Sequence, residues 1–171
     1  MKLTIFFIFI SLFVIIMSCN IMKSPKENTF TKREQIVEVV NKLFVYTDEQ
    51  DWSKLQSEVF TSEVLFDMTS LGAEKAEIKS SQEICNMWSQ GFQGIDAIHH
   101  QAGNYIVTIK NEKAEVKAYA IASHFKKDTN EGNVREFIGS YNLGLVKNEK
   151  GWFINQFKYN LKYMDGNVEL K

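Results

Sequence analysis

The chain has 171 residues, of which 20 are Lys or Arg and 21 are Asp or Glu, so its formal net charge is −1. With 44% hydrophobic and 24% charged residues, the composition is that of one globular domain, which excludes wholesale disorder, a collagen-like repeat and a disulfide-stapled miniprotein. The near-zero net charge gives no reason to expect nucleic acid as a partner.

Residues 1–18 form a segment unlike the rest of the chain. Lys2 is followed by fifteen uncharged and mostly apolar residues and then by the small residue Ser18. This layout is typical of a secretory signal peptide. A helix of fifteen residues reaches about 22 Å, which is short of the ~30 Å hydrocarbon core, so a membrane-spanning helix is disfavoured.

The motif Ile16-Met17-Ser18-Cys19 resembles a bacterial lipobox. The resemblance implies that Cys19 is acylated, so that the protein would be exported and held at the cell envelope as a membrane-anchored lipoprotein. The alternative is an ordinary secretory signal with a cysteine near the cut by chance. Residues 19–30 are predicted to be a tether. Acylation would leave Cys85 as a lone thiol, whereas a free Cys19 would allow a disulfide between the two cysteines.

The folded domain is predicted to begin at Thr31, which with Glu34 forms a capping box. A helical stripe follows, consisting of Ile36, Val39, Val40, Leu43, Phe44 and Thr47. A shorter helix is predicted over 52–59 with Asp51 as its cap, and a strand over 64–68. A third helix is predicted to open at Ser80 and to end at the glycines 91 and 94.

After residue 95 the apolar spacing changes to two, which is typical of strands. Four long strands are predicted over 98–110, 113–127, 134–147 and 152–163, and the short turns between them make the strands antiparallel neighbours. Helices followed by a meander indicate an α+β fold with helices packed on one face of a curved sheet. Residues 31–166 are therefore predicted to form one domain, followed by a tail at 167–171.

The second long strand has one face of small apolar residues that ends in a histidine. The residues on this face are Ala114, Val116, Ala118, Ala120, Ala122 and His124. The alanines leave room above the sheet, which the helices fill or which stays open as a ligand pocket. A lone histidine on an apolar face is more typical of a hydrogen-bonded core residue than of a catalyst.

Several motifs resemble, in order and spacing, the SnoaL-like domains of the nuclear transport factor 2 (NTF2) superfamily. They are YTDEQDW at 46–52, FT at 60–61, VLFD at 64–67, HQAGN at 100–104, the strand that ends at His124, GSY at 139–141 and GWFI at 151–154. The resemblance covers residues 31–166. It implies an NTF2-like cone, which is a strongly curved antiparallel sheet wrapped around N-terminal helices, with a hydrophobic pocket between them. Such domains often pair through their sheets, so a homodimer is expected.

Relatives with known chemistry include polyketide cyclases, ketosteroid isomerases and scytalone dehydratase, which use no metal and no organic cofactor. The resemblance thus implies cofactor-independent acid-base chemistry of the lyase or isomerase type on a hydrophobic small molecule, with Asp48, His100 and His124 as catalytic residues. The aspartate would fix the tautomer of one histidine, and the other would act as an acid or orient the substrate. The alternative is a non-catalytic ligand-binding or assembly module anchored at the envelope.

The family pattern transfers incompletely. Its tyrosine before the aspartate is Thr47 here, its second pocket tyrosine is Met68, and its strand serine and asparagine are Gly139 and Tyr141. Dehydration of scytalone itself is therefore not expected. Ligand contacts are expected from Tyr46, Trp52, Phe66, Met68, Trp88, Asn104 and Tyr141.

Other chemistry has little support in the sequence. The neighbouring histidines 99 and 100 point to opposite faces of a strand, so they cannot bind one metal ion together, and no metal site is expected. Cys85 has no visible activating partner and is not expected to be a nucleophile.

Overall fold

The computed structural model describes residues 30–170. The predicted signal peptide, the lipidation site at Cys19 and nearly all of the predicted tether lie outside these residues. Within residues 30–170, no helix is both long enough and apolar enough to cross a membrane.

Three helical segments lie on one side of the molecule. The long helix α1 (Lys32–Asp48) begins with the predicted capping box, since the Thr31 hydroxyl accepts from the Glu34 amide at 3.2 Å and the Glu34 carboxylate accepts from the Thr31 amide at 2.7 Å. The helix α2 (Trp52–Lys54) is a single turn that continues into a π-helical turn (Leu55–Val59). The helix α3 (Ser81–Gly91) begins with a second capping box, formed by Ser80 and Glu83.

Six strands form one sheet in the order β2-β1-β6-β5-β4-β3, in which all neighbours are antiparallel except β1 and β6. The strands are β1 (Phe60–Asp67), β2 (Glu77–Ser80), β3 (Ala97–Lys110), β4 (Lys113–Phe125), β5 (Val134–Asn148) and β6 (Gly151–Gly166). The predicted α+β architecture and the four-stranded meander are confirmed.

Two elements differ from the sequence-based expectation. The edge strand β2 was not predicted, because its four residues are exposed or half-buried and carry no alternating apolar pattern. The predicted helix over 52–59 ends in the wider π turn, in which the amide of Phe60 donates to the carbonyl of Leu55. This turn keeps both Leu55 and Val59 in the core.

The inner face of the sheet and the helices enclose the main core. On β4 the inward residues from Ala114 to His124 are buried, and the residues between them are exposed or half-buried. The predicted tail turns back onto the domain, since the amide of Asn167 donates to Val134 at 2.8 Å and Leu170 is buried against Ile95 and Ile98. Burial of the apolar Leu170 side chain stabilises the packing of this segment on the domain.

Candidate active site

A cavity of about 160 Å³ lies between the inner face of the sheet and the helices α1 and α3. Most of its walls are aromatic or aliphatic side chains, and its polar side chains are Thr47, His100, His124 and Tyr141. The remaining lining residues are Leu43, Phe44, Met68, Leu71, Trp88, Phe92, Ala122, Phe137 and Phe157. The cavity is therefore an apolar enclosure with a few polar groups in its wall, which is the usual composition of a small-molecule site.

Asp48 and His100 form a hydrogen-bonded pair at one side of this cavity. Nδ1 of His100 lies 2.6 Å from Oδ1 of Asp48, and the backbone amide of His100 donates to Oδ2 at 2.8 Å. The imidazole is 9% exposed and the carboxylate 17%. In the neutral form of this imidazole beside an ionised carboxylate, Nδ1 carries the proton and Nε2 has the free lone pair.

The position of Asp48 in its helix has no stabilising role of its own. It is the last residue of α1, where a negative charge opposes the helix dipole. It does not cap the next helix either, because the amide of Lys54 is accepted by Asp51 at 3.0 Å. Its contacts are with two histidines of β3: the hydrogen bonds to His100, and an approach of 3.8 Å between Oδ2 and Nδ1 of the exposed His99.

His124 lines the same cavity and has a different partner. It is 8% exposed, and its Nδ1 lies 3.2 Å from Nη2 of Arg135. The ring packs edge-on against Phe92 at 5.4 Å and tilts against Phe137 at 5.2 Å. Burial, followed by the charge of Arg135, lowers the pKa of His124 to about 4, so the imidazole is neutral at pH 7.

The strand register explains why the two histidines share one cavity. His100 of β3 is paired with Ala122 of β4, and His124 is paired with Ile98, so the two imidazoles are diagonal neighbours on the inner face. Diagonal positions on adjacent strands are roughly 7–8 Å apart. The small side chain of Ala122 between them contributes to the open space.

The third polar group is the phenol of Tyr141. This side chain is 6% exposed and packs edge-on against Phe44, with 5.1 Å between ring centroids. Burial, with smaller contributions from Tyr159 and Asp48, raises the pKa of Tyr141 far above its usual value. The phenol therefore stays protonated and can donate a hydrogen bond, but it cannot act as a base at neutral pH.

Residues 28–158 match the family model of the SnoaL-like domain. The chain belongs to this family. Comparison with curated proteins gave no match. The SnoaL-like assignment confirms the family that the sequence motifs indicated.

Solved structures share the fold of this SnoaL-like domain. The Kfla4162 protein of Kribbella flavida superposes with a TM-score of 0.75 at 21% identity, covering 81% of this chain and 95% of that one. A protein assigned as a scytalone dehydratase from Novosphingobium aromaticivorans gives 0.69 at 11% identity, with coverages of 80% and 87%. The hexachlorocyclohexane dehydrochlorinase LinA-type3 of Novosphingobium barchaimii gives 0.66 at 9% identity, with coverages of 80% and 90%. At these identities the likeness shows the fold alone.

The structure brings six of the ten predicted site residues together. His100, His124, Met68, Trp88 and Tyr141 line the cavity, and Asp48 lies directly behind His100. Four predicted ligand contacts lie elsewhere: Tyr46, Trp52, Phe66 and Asn104 are not among the residues that line this cavity.

Two of these four pack behind the cavity wall, and a third faces away from the cavity. Trp52 stacks on Phe92 at 6.1 Å, and Phe66 stacks on Phe157 at 5.0 Å, so each lies behind an aromatic residue that lines the cavity. Tyr46 faces another way around α1 and donates its hydroxyl to Glu58 at 3.1 Å. Its neighbour Thr47 lines the cavity instead.

Asn104 is displaced by a bulge in β3. Strict alternation would place it on the same face as His100, four residues earlier. The pairing with β4 shifts between Gly103 and Ile106, and Asn104 has a left-handed φ of 56°. The bulge ends the alternation, and Asn104 is exposed beside a separate groove with Tyr105 and Tyr119.

The sequence reasoning missed Arg135 and most of the aromatic wall. Arg135, Phe137, Gly139 and Tyr141 share one face of β5 by strand alternation, so Tyr141 was a usable signal for the others. Packing explains why residue 139 is a glycine, since a Cβ there would lie 2.6 Å from the hydroxyl oxygen of Tyr159 and 2.5 Å from a backbone oxygen.

Among residues 30–170, no group of three or more His, Cys, Asp or Glu side chains is arranged to hold a metal ion. The thiol of Cys85 is fully buried, and burial raises its pKa to about 11. It is a protonated core residue at neutral pH.

Proposed function

We propose that this SnoaL-like domain is a cofactor-independent lyase that removes a proton from a small, uncharged, hydrophobic molecule. The observation that carries the proposal is the imidazole of His100, which lines an apolar cavity and is backed by a partly buried carboxylate. An imidazole oriented by a carboxylate is a common general base, and an apolar surrounding strengthens its electrostatic interactions.

The chemistry follows from the tautomer of His100. Asp48 accepts a hydrogen bond from the Nδ1–H of His100, so Nε2 has a free lone pair that can take a proton from a carbon of the ligand. The C–H electron pair forms a C=C bond, and the leaving group departs with the electrons of its own bond. His100 then carries a positive charge that the carboxylate stabilises.

The size of the cavity limits the ligand. Its volume is about 160 Å³, which is close to the ~150 Å³ of an engineered apolar cavity that binds benzene. A molecule with a single ring fits this volume, whereas a steroid does not. We therefore propose a one-ring substrate.

The names of two structural neighbours agree with an elimination. One is a hexachlorocyclohexane dehydrochlorinase and the other is assigned as a scytalone dehydratase. Loss of HCl and loss of water both remove a proton from carbon together with a leaving group. The first of these substrates has a single six-membered ring.

The test uses the full chain and two one-ring probes. Chloride release is measured with hexachlorocyclohexane, and exchange of the α-protons with D₂O is measured by NMR with cyclohexanone. His100→Gln is expected to lower either rate by about 10²-fold to 10⁴-fold, the usual contribution of a general base. His99→Gln is the comparison variant: the His99 side chain is 71% exposed, and its Nδ1 lies 3.8 Å from Oδ2 of Asp48, so it shows what loss of the other histidine near this carboxylate does. Equal rates in the two variants would exclude His100 as the base.

A binding function is the second candidate, and the apolar wall of the cavity supports it. Saturable binding of a one-ring probe without turnover of any probe would favour a ligand-binding module over an enzyme. The variant Ala122→Leu would then weaken binding, since it adds volume directly to the cavity wall.

We also propose that the chain is an exported lipoprotein anchored through Cys19 at the cell envelope. The support is the lipobox-like motif at residues 16–19. Mass spectrometry of the mature N-terminus tests it: an acylated cysteine is expected, and an unmodified Cys19 would contradict the proposal.

We propose a homodimer through the outer face of the sheet. A cross-strand row of Ile121, Ile138 and Tyr163 runs over this face, and Ile121 is 40% and Tyr163 58% exposed. Sedimentation velocity is expected to give a dimer, and Tyr163→Lys is expected to weaken it. A monomer at all concentrations tested would contradict this.

A further inference from the structure

We propose that Arg135 is a positioning residue that fixes His124 as the neutral Nε2–H tautomer, so that the cavity contains one basic and one hydrogen-bond-donating imidazole. The inference rests on the proposed function and extends it, because it assigns His124 as the hydrogen-bond donor that complements His100 as the base. It also narrows the substrate class to one-ring molecules that carry a hydrogen-bond acceptor.

The direction of the hydrogen bond follows from the chemistry of arginine. A guanidinium has only donors, so Nδ1 of His124 must accept from Nη2 of Arg135 across their 3.2 Å separation. A neutral imidazole with an accepting Nδ1 carries its proton on Nε2. Within residues 30–170, Nε2 of His124 has no hydrogen-bond partner, so its N–H is available to a ligand.

The fold holds Arg135 in place for this contact. His124 and Arg135 are directly opposite each other on the antiparallel strands β4 and β5, so their side chains emerge on the same face. The guanidinium also lies over the ring of Phe137, 5.1 Å from its centroid. In the described part of the chain, Arg135 forms no ion pair with a carboxylate within 4.0 Å. Its charge is therefore not neutralised by a close partner.

The charged groups around His124 favour the neutral ring. Burial between Phe92 and Phe137 lowers its pKa most, and Arg135 from β5 and then His100 from β3 lower it further. Asp48 at the end of α1 acts in the opposite direction and is the smallest influence. Glu169, beyond β6, influences Arg135 and raises the pKa of its guanidinium. His124 is accordingly a donor without a charge, suited to a carbonyl, hydroxyl or halogen that gains negative charge as His100 removes a proton.

The two imidazoles thus have opposite tautomers for a structural reason. Each uses Nδ1 for its protein partner, but the partner of His100 is an acceptor and the partner of His124 is a donor. The two remaining nitrogens consequently differ: Nε2 of His100 carries a lone pair, and Nε2 of His124 carries a proton.

The tautomers can be read directly by ¹⁵N NMR of the full chain with labelled histidine. The chain has only three histidines, so the spectra of His99→Gln and His124→Gln complete the assignment. At pH 7 we expect His100 as the Nδ1–H form and His124 as the Nε2–H form. A protonated His124, or one in the Nδ1–H form, would overturn the inference, and this result needs no variant of Arg135.

A variant tests the role of the guanidinium itself. Arg135→Met is expected to give a tautomer mixture at His124 and to raise its titration midpoint, while Arg135→Lys, which can still donate, is expected to restore the Nε2–H form at least in part. Arg33→Met is the matched control, because Arg33 is the only other arginine and lies at the start of α1. Circular dichroism checks that each variant is folded. An unchanged His124 spectrum in folded Arg135→Met would refute the assignment.

The activity assays separate this inference from the proposed function. If the enzyme turns over a probe, Arg135→Met should lower kcat by about tenfold, as expected for one weakened hydrogen bond, and should shift the acid limb of the pH profile. If His100→Gln leaves the rate unchanged, the proposed function fails, and the tautomer of His124 remains an independent result.

Discussion

His100 and His124 line the same cavity from neighbouring strands, and they differ in the group behind each imidazole. Asp48 backs one ring with a carboxylate, and Arg135 backs the other with a guanidinium. The comparison teaches that the identity of a site residue does not set its chemistry. The partner on the far nitrogen decides whether an imidazole offers a lone pair or a proton.

The largest effect is expected from Asp48→Asn. The amide keeps an oxygen for the backbone N–H of His100, but its NH₂ group can donate to Nδ1 and so favour the wrong tautomer. The corresponding change in a serine protease triad lowers kcat by about 10⁴-fold, so a loss of about 10³-fold or more is expected in either probe assay.

The control for this variant is stability, measured as the urea midpoint. The pair's geometry is kept, so the midpoint should move little while the rate collapses. A rate close to wild type would show that the carboxylate does not set the function of His100.

The second effect is a pH dependence that arises from His124. Its pKa is about 4 in the folded chain and about 6.5 when unfolded. Between these values the unfolded chain binds more protons, so the free energy of unfolding falls as the pH is lowered from about 6.5 to 4, by at most about 3 kcal/mol.

Urea unfolding between pH 5 and 7 measures this slope before the carboxylates titrate. His124→Gln should flatten the slope, and His99→Gln should change it much less, because His99 is 71% exposed and lies 3.8 Å from the nearest Asp48 oxygen. A slope that survives in His124→Gln would assign the effect to another group.

Filling the cavity between the two histidines should separate binding from stability. Ala122→Leu places a larger side chain in the wall next to the space that a ligand would occupy. We expect loss of probe affinity by about tenfold or more, at a cost in stability smaller than the ~1–3 kcal/mol of overpacking a filled core.

The matched variant is Ala118→Leu, at a fully buried alanine of the same strand that does not line the cavity. Here the full overpacking cost is expected. Isothermal calorimetry and thermal unfolding of both variants test the distinction. Equal destabilisation of the two variants would indicate that the space beside Ala122 is as tightly packed as the core around Ala118.

The smallest effect is expected from Tyr46→Phe. Its hydroxyl bonds Glu58 on the outer side of the helices and not a ligand in the cavity. Removal of this half-buried hydrogen bond should cost about 1 kcal/mol, and probe affinity should stay the same. A clear loss of probe affinity would show that Tyr46 does contribute to ligand binding.

The long elements were predictable because their periodicity is strong. The stripe of α1 and the alternation of β4 are visible in the sequence and are confirmed by burial. The short edge strand β2 and the bulge at Asn104 were not predictable, since neither has a periodic signal of its own. The pairing of Asp48 with His100 was expected only through the family resemblance.

By itself, the sequence determined the family, the α+β class and the histidines that belong to the site, because motif order and apolar spacing are local properties of the chain. Only the tertiary structure decided which side chains reach the cavity and what supports each imidazole. Arg135 meets His124 through the register of β4 and β5, and Asp48 meets His100 through the packing of α1 on β3. The first contact spans 11 residues and depends on the register of a hairpin, and the second spans 52 residues and depends on tertiary packing, so neither follows from the periodicity of one element.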